Sequence, residues 1–181
     1  MDRIIAFLII CLLSPILFVL LVVTTIVFRC NPIFTQKRTV NGKSEFKFYK
    51  IRSMSKNAPI IPTNEFKDAN VYINRWGRFL RRSSLDELLN LWNIVRGEMK
   101  FIGPRPIMIC EVLLIEYRQR AGITDYPGIT GLAQINGRDS IRLARKVACE
   151  KYYNRNKSVR LYFYILYRTA MIVYNKSGII H

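Results

Sequence analysis

Asp86 and Glu87 stand side by side in a chain of 181 residues that carries 12 acidic residues against 29 Lys and Arg. Arg81 and Arg82 precede the pair, and Pro104-Arg105-Pro106 follows it. Carboxylates set among cations suit chemistry on an anion, most simply a phosphate. Ser84-x-x-Glu87 is also the spacing of a capping box, with Ser84 as N-cap of a helix from Leu85 to about Arg96 that Gly97 ends. Capping and catalysis use the same geometry here. A helix N-terminus offers free N–H groups and partial positive charge, which attract phosphate and keep an aspartate ionised. An ionised Asp86 can attack phosphorus and form an acyl phosphate. Carboxylate and phosphate repel each other, so such an attack needs a bound cation and nearby arginines. Glu87 suits Mg2+, the usual partner of carboxylates and substrate phosphates. Arg105, fixed between two prolines, suits a bidentate clamp on phosphate oxygens, with an ordinary surface turn as its alternative.

The composition fits an anionic partner. Net charge is +17, which favours nucleic acid, anionic lipid or phosphorylated substrates, and half the residues are hydrophobic, which argues against a disordered basic tail. Cys11, Cys30, Cys110 and Cys149 are scattered and form no C-x-x-C, which argues against zinc or a disulfide framework and for reduced thiols. The one histidine is His181, so a mechanism built on a histidine base is close to excluded.

The elements that position these residues begin with a membrane segment. Ile4 to Phe28 contains no charge and as a helix would measure about 37 Å, against a hydrocarbon core of about 30 Å. The run is too long for a signal peptide and no small-x-small site follows it. Ser14-Pro15 lies near its middle, where proline removes a backbone hydrogen bond and bends a helix. Arg3 precedes the run, while Arg29, Lys37 and Arg38 follow it, so basic residues flank both ends. From these features a spanning helix and a re-entrant one stand level. Asn41-Gly42 then predicts a β-hairpin of Ile33–Thr39 and Glu45–Arg52 carrying Lys37, Arg38, Lys47 and Lys50. Residues 53–70 read as a surface loop, and Arg75–Arg82 as a short basic helix. Pro106–Ala121 has a helical pattern with Gly122 as its stop. Residues 125–138 read as an ordered loop, and helices are expected over about 139–154 and 158–175. The fold class is α/β, mostly helical with a small hairpin: a membrane element over 1–30 and one domain over 31–181.

Several motifs in order carry a family resemblance. They are Phe34-Thr-Gln-Lys-Arg38, Tyr49-Lys-Ile-Arg-Ser-Met54, Ser84-Leu-Asp-Glu-Leu88, Leu91-Trp-Asn93, Gly97-Glu-Met99, Gly103-Pro-Arg-Pro106 and the run from Pro127 to Arg138. Together, from the Ser14-Pro15 break to about Ser177, they resemble the bacterial sugar transferases, small monotopic phosphoglycosyl transferases that initiate surface glycan assembly. The resemblance implies transfer of sugar 1-phosphate from a UDP-sugar to a polyprenyl phosphate such as undecaprenyl phosphate, giving polyprenyl diphosphate sugar and UMP. It implies ping-pong kinetics through a covalent phosphosugar on Asp86, Mg2+ at Glu87 and anion binding at Arg105. It also implies a re-entrant helix broken at Ser14-Pro15, with the catalytic domain on the cytoplasmic face of the bacterial inner membrane. The partners implied are the donor, the lipid acceptor and the membrane, without nucleic acid; a second copy of the chain and downstream glycosyltransferases are further candidates. The residues agree with this reading, because a phosphate acceptor is already an anion and needs no general base.

Lys37, Arg38, Lys50, Arg81 and Arg138 occupy motif positions and are candidate phosphate contacts, with a solvated basic face as the alternative. Pro127, Gly128, Gly131, Gln134 and Gly137 belong to the segment that the resemblance assigns to the donor pocket. The aromatic last helix, with Tyr162, Phe163, Tyr164, Tyr167 and Tyr174, suits a membrane interface or core packing equally. Some positions depart from the family. Met1-Asp2-Arg3 stands for a longer basic lead, which leaves the anchoring of the first helix less secure. Leu89 replaces a frequent proline, Tyr126 a basic residue, and Tyr162 an acidic one. Two competing readings are a membrane-tethered, non-catalytic basic protein that binds anionic lipid or nucleic acid, and a degenerate family member that only scaffolds. Both leave the Asp-Glu and Pro-Arg-Pro pattern without a role.

Overall fold

The computed structural model describes residues 1–59, 69–137 and 141–175. Helix α1 runs from Asp2 to Phe28 and continues through Ser14 and Pro15. Pro15 has no N–H to give to the carbonyl of Cys11, one turn earlier. The Ser14 hydroxyl donates to that same carbonyl at 2.8 Å and replaces the missing bond. Arg29 then closes the helix in the left-handed conformation (φ 49°), its N–H on Thr25 O. By length and composition α1 is able to cross a membrane.

The hairpin forms as its turn signal predicts, with β1 over Ile33–Thr39 and β2 over Glu45–Ile51. Gly42 takes the positive φ the turn requires, and Asn41 is buried with its amide on Ile123 O. A 3-10 turn over Ala69–Tyr72 leads to α2, Arg75–Arg82, whose first turn Asn74 caps through Gly77 N. The helix expected from Leu85 to Arg96 is instead divided. Leu85–Glu87 is a 3-10 turn, residues 88 and 89 form a turn, and α3 spans only Asn90–Arg96. Ser84 lies in the left-handed region (φ 56°) and makes no side-chain cap, so the capping box does not form. Gly97 ends α3 with a positive φ, as expected.

Strand β3, Lys100–Ile102, pairs in parallel with β4, Gly128–Thr130, in the register Lys100↔Gly128 and Ile102↔Thr130. The expected loop over 125–138 therefore holds a strand and the short helix α5, Leu132–Ile135. The helix expected from Pro106 begins only at Val112, as α4 over Val112–Arg120, because Ile107 is bridged in antiparallel fashion to Thr39. Gly122 follows α4 with positive φ. Helices α6, Leu143–Arg155, and α7, Val159–Asn175, complete the described chain. The hairpin and the mostly helical character are as read from sequence; the β3–β4 pair is additional.

The described residues form two compact units, one from Met1–Gln36 and Lys47–Arg96, the other from Lys37–Phe46 and the described residues from Gly97 onward. In the first, Leu17 and Leu20 of α1 are buried with Ile51 and Leu80, and Ile10, Leu13, Leu21, Trp76, Leu85, Leu88 and Leu89 pack around them. The apolar helix thus supplies one wall of this core. The second unit has two clusters, one around Val40, Ile107, Leu114, Ile115, Ile123 and Val147, the other around Ile102, Ile135, Tyr153 and Ile165. At its centre the Arg118 guanidinium, fully buried, donates to both carboxylate oxygens of Glu150 and to Val40 O.

Candidate active site

Lys50, Asp86 and Glu87 come together within the first unit. The Lys50 ammonium lies 2.8 Å from Glu87 Oε1 and 3.7 Å from Asp86 Oδ2. Its other neighbour is the ring of Phe48, 5.5 Å from the ring centre. Strand alternation explains this placement: Phe48 and Lys50 share a face of β2, with Phe48 buried and Lys50 half-buried. Glu87, which the capping box would have turned back toward Ser84, reaches β2 instead. The Ser84 N–H is satisfied by Arg81 O. Asp86 is 7% exposed, and the leucines around it, Leu85, Leu88 and Leu89, face the core that includes α1.

Asn93 holds this arrangement in register. It is fully buried; its Nδ2 donates to Lys47 O at 2.6 Å and its Oδ1 accepts from Tyr49 N at 3.3 Å. One side-chain amide thereby pairs with the edge of β2 as a neighbouring strand would. Since α3 follows directly on the acidic turn, this pairing fixes the distance from Lys50 to Glu87. In the sequence Asn93 is part of the Leu91-Trp-Asn93 motif and has no assigned role; two amides, Asn90 and Asn93, on the buried side of one short helix are the available signal.

In the second unit, Arg105 lies on the connection after β3, half-buried between buried prolines. Pro104 O accepts from Gly128 N at 3.0 Å, and Ile107 exchanges two 2.9 Å hydrogen bonds with Thr39. Anchored on both sides, the backbone at Arg105 is set by its neighbours rather than by a free turn. Gly103 and Gly128 meet here backbone to backbone, and a Cβ on either would overlap main-chain atoms of the other strand. Pro127 O accepts from Lys100 N, Gly131 precedes α5, Gln134 donates weakly to Ile129 O at 3.4 Å, and Gly137 has a positive φ. Tyr126, where the sequence departs from a basic residue, carries the Lys100 ammonium 5.1 Å above its ring, so a cation stands at this point from another strand. Tyr162 packs beside the Ile102 cluster.

The remaining candidates divide. Lys37 forms an exposed pair with Glu45 at 3.4 Å, and Arg38 lies 3.9 Å from Glu111. Arg81 closes α2, half-buried. Arg138 lies outside the described residues.

Among the described residues no group of three or more acidic, histidine or cysteine side chains comes together to hold a metal. Asp86 and Glu87 meet at the Lys50 ammonium, and a carboxylate pair is by its chemistry a ligand for a hard cation such as Mg2+ rather than for a closed structural zinc site.

A family model described as bacterial sugar transferase matches residues 1–176. The chain belongs to the bacterial sugar transferase family. It is 35% identical over 167 residues to the UDP-galactose-lipid carrier transferase of Erwinia amylovora, covering 81% of this chain and 34% of that protein. It is 30% identical over 192 residues to the exopolysaccharide production protein ExoY of Sinorhizobium fredii, covering 98% of this chain and 85% of that protein. With the UDP-glucose:undecaprenyl-phosphate glucose-1-phosphate transferase of Klebsiella pneumoniae it shares 32% over 188 residues, which cover 98% of this chain and 40% of the relative. The chain of this sugar transferase thus spans about a third of the Erwinia protein and most of the Sinorhizobium one.

Proposed function

We propose that the protein transfers a sugar 1-phosphate from a UDP-sugar to undecaprenyl phosphate, releasing UMP and starting assembly of a surface glycan. The observation that carries this reading is the placement of Asp86: a carboxylate buried beside Lys50 and Glu87, in a turn whose leucines pack on an apolar helix. A lipid acceptor held along the apolar helix would stand beside the turn that carries Asp86. The names of the relatives, which specify UDP-linked sugars and a lipid carrier, fit the same chemistry.

The reaction follows in two displacements. An Asp86 oxygen forms a bond to the sugar-bearing phosphorus of the donor, and the bridging P–O bond breaks, its oxygen leaving with UMP. A phosphate oxygen of the lipid acceptor then bonds to that phosphorus, and the aspartyl O–P bond breaks to restore Asp86. The lipid phosphate is already an anion at neutral pH, so its attack needs no general base. Lys50 and Arg105 are assigned to phosphate oxygens of the substrates. Glu87 would hold Mg2+, which would supply charge neutralisation for the diphosphate.

We place the catalytic domain, residues 31–181, on the cytoplasmic face of the inner membrane, with residues 1–30 as a re-entrant helix bent at Ser14-Pro15. Support comes from the stripe Ala6, Ile10, Leu13, Leu17, Leu20 and Thr24, which is buried or half-buried while Ile4, Leu8, Leu12, Phe18, Val22 and Ile26 are exposed. The stripe extends about 27 Å along the helix. A helix packed on protein over that length has little left to cross a core of about 30 Å, whereas a shallow, bent entry meets lipid with its exposed side alone.

Asp86→Asn tests the chemistry. With Mg2+ and a panel of UDP-sugars, the variant is expected to release no UMP while remaining in the membrane fraction; full turnover would remove the covalent route.

A further inference from the structure

We propose that Lys50 is a resident counter-ion of the Asp86–Glu87 pair which a divalent cation must displace, and that the displaced ammonium becomes the contact for the donor diphosphate. The inference rests on the metal assignment above and adds an order of events to it. Its basis is position. The ammonium is bonded to Glu87 Oε1 at 2.8 Å, on the carboxylate that would hold a metal, and lies 3.7 Å from Oδ2 of the neighbouring Asp86.

Charge makes the two cations exclusive. Mg2+ binds carboxylate oxygen at about 2.1 Å, which would bring it within a few ångströms of an ammonium left in place. The repulsion between a double and a single charge at that range is twice that between unit charges. Two adjacent carboxylates with Asp86 buried also need a cation when no metal is there, and Lys50 supplies one. The side chain is built for a handover. Its stem is flexible, only the final nitrogen is charged, and the Phe48 ring offers a second favourable neighbour at 5.5 Å. Asn93 meanwhile fixes the β2 backbone at Lys47 and Tyr49, so the ammonium moves while its strand does not.

One consequence is that the metal and the donor favour each other. The metal frees an ammonium for the diphosphate, and the diphosphate supplies the metal's remaining ligands. Metal affinity without donor is then held low by the protein itself.

The test measures Mn2+ binding by electron paramagnetic resonance on the full chain in nanodiscs, without donor. Lys50→Met keeps the length and removes the charge, and is expected to bind Mn2+ about tenfold or more tightly than the parent, with Lys50→Arg close to the parent. Thermal unfolding gives a second readout: Mn2+ should raise the midpoint of Lys50→Met more than that of the parent. Equal or weaker Mn2+ binding by Lys50→Met would overturn the handover and leave the metal assignment standing. If neither protein binds Mn2+ at millimolar concentration, the handover and the metal assignment both fail.

Discussion

Trp76 Nε1 donates a 3.0 Å hydrogen bond to Thr24 Oγ1, joining α2 to the last turns of the apolar helix. Thr24 is fully buried, so its hydroxyl has exchanged water for the indole. The bond fixes where along α1 the basic helix α2 sits, and through α2 where the acidic turn begins. Thr24→Val keeps the shape and removes the acceptor. It is expected to cost about 1–2 kcal/mol, seen as a lower unfolding midpoint in nanodiscs. Trp76→Phe on that background should cost less than it does alone, because the orphaned donor goes with it; strictly additive losses would show that the bond carries no energy.

Asn93→Leu removes both bonds to β2 and leaves Lys47 O and Tyr49 N without them. A loss of about 2–3 kcal/mol is expected in denaturant unfolding. UMP release under saturating donor should also fall about tenfold or more, since a 1.4 kcal/mol rise in barrier already gives that factor. Stability lost with turnover unchanged would make Asn93 a packing residue only.

Arg118 and Glu150 make a different kind of prediction, because the pair serves the fold rather than the chemistry. Arg118→Met alone strands a buried carboxylate and should destabilise by about 3–5 kcal/mol. The double variant Arg118→Met with Glu150→Leu should recover part of that loss in thermal unfolding. A double variant as unstable as the single one would mean that the contact of Arg118 with Val40 O, not the ion pair, is what the hairpin tip requires.

The re-entrant reading predicts which side residue 2 faces. With Cys11, Cys30, Cys110 and Cys149 replaced by serine, Asp2→Cys should react with a membrane-impermeant maleimide only from the cytoplasmic side. Labelling from outside the cell would establish a spanning helix.

Local signals proved readable where short-range chemistry decides the conformation. Asn41-Gly42 placed the hairpin, α2 has the ends read for it, and Gly97 and Gly122 stop their helices. What escaped was set by partners far along the chain. Ser84 and Glu87 have the spacing of a capping box, but Lys50, 37 residues earlier, takes the carboxylate. Strands of three residues are too short for a period-two pattern, so β3 and β4 are recognisable only once paired. The proline–arginine–proline turn looked rigid from its composition. The bonds that hold it, from Gly128 and Thr39, leave no mark near Arg105. The acidic pair and Lys50 could thus be named from sequence, whereas their contact with each other and the part of Asn93 in it could not.

The packing of α1 bears on how this protein can be handled. An N-terminal apolar helix is often cut away to obtain a soluble enzyme. Here Leu17 and Leu20 cover Ile51 and Leu80, with Leu85, Leu88 and Leu89 around them. Cutting before residue 30 would bare that patch beside the turn that carries Asp86 and Glu87. The shortened protein is expected to aggregate through it, so solubility has to be sought by redesigning the exposed side of the helix and leaving the inner stripe intact.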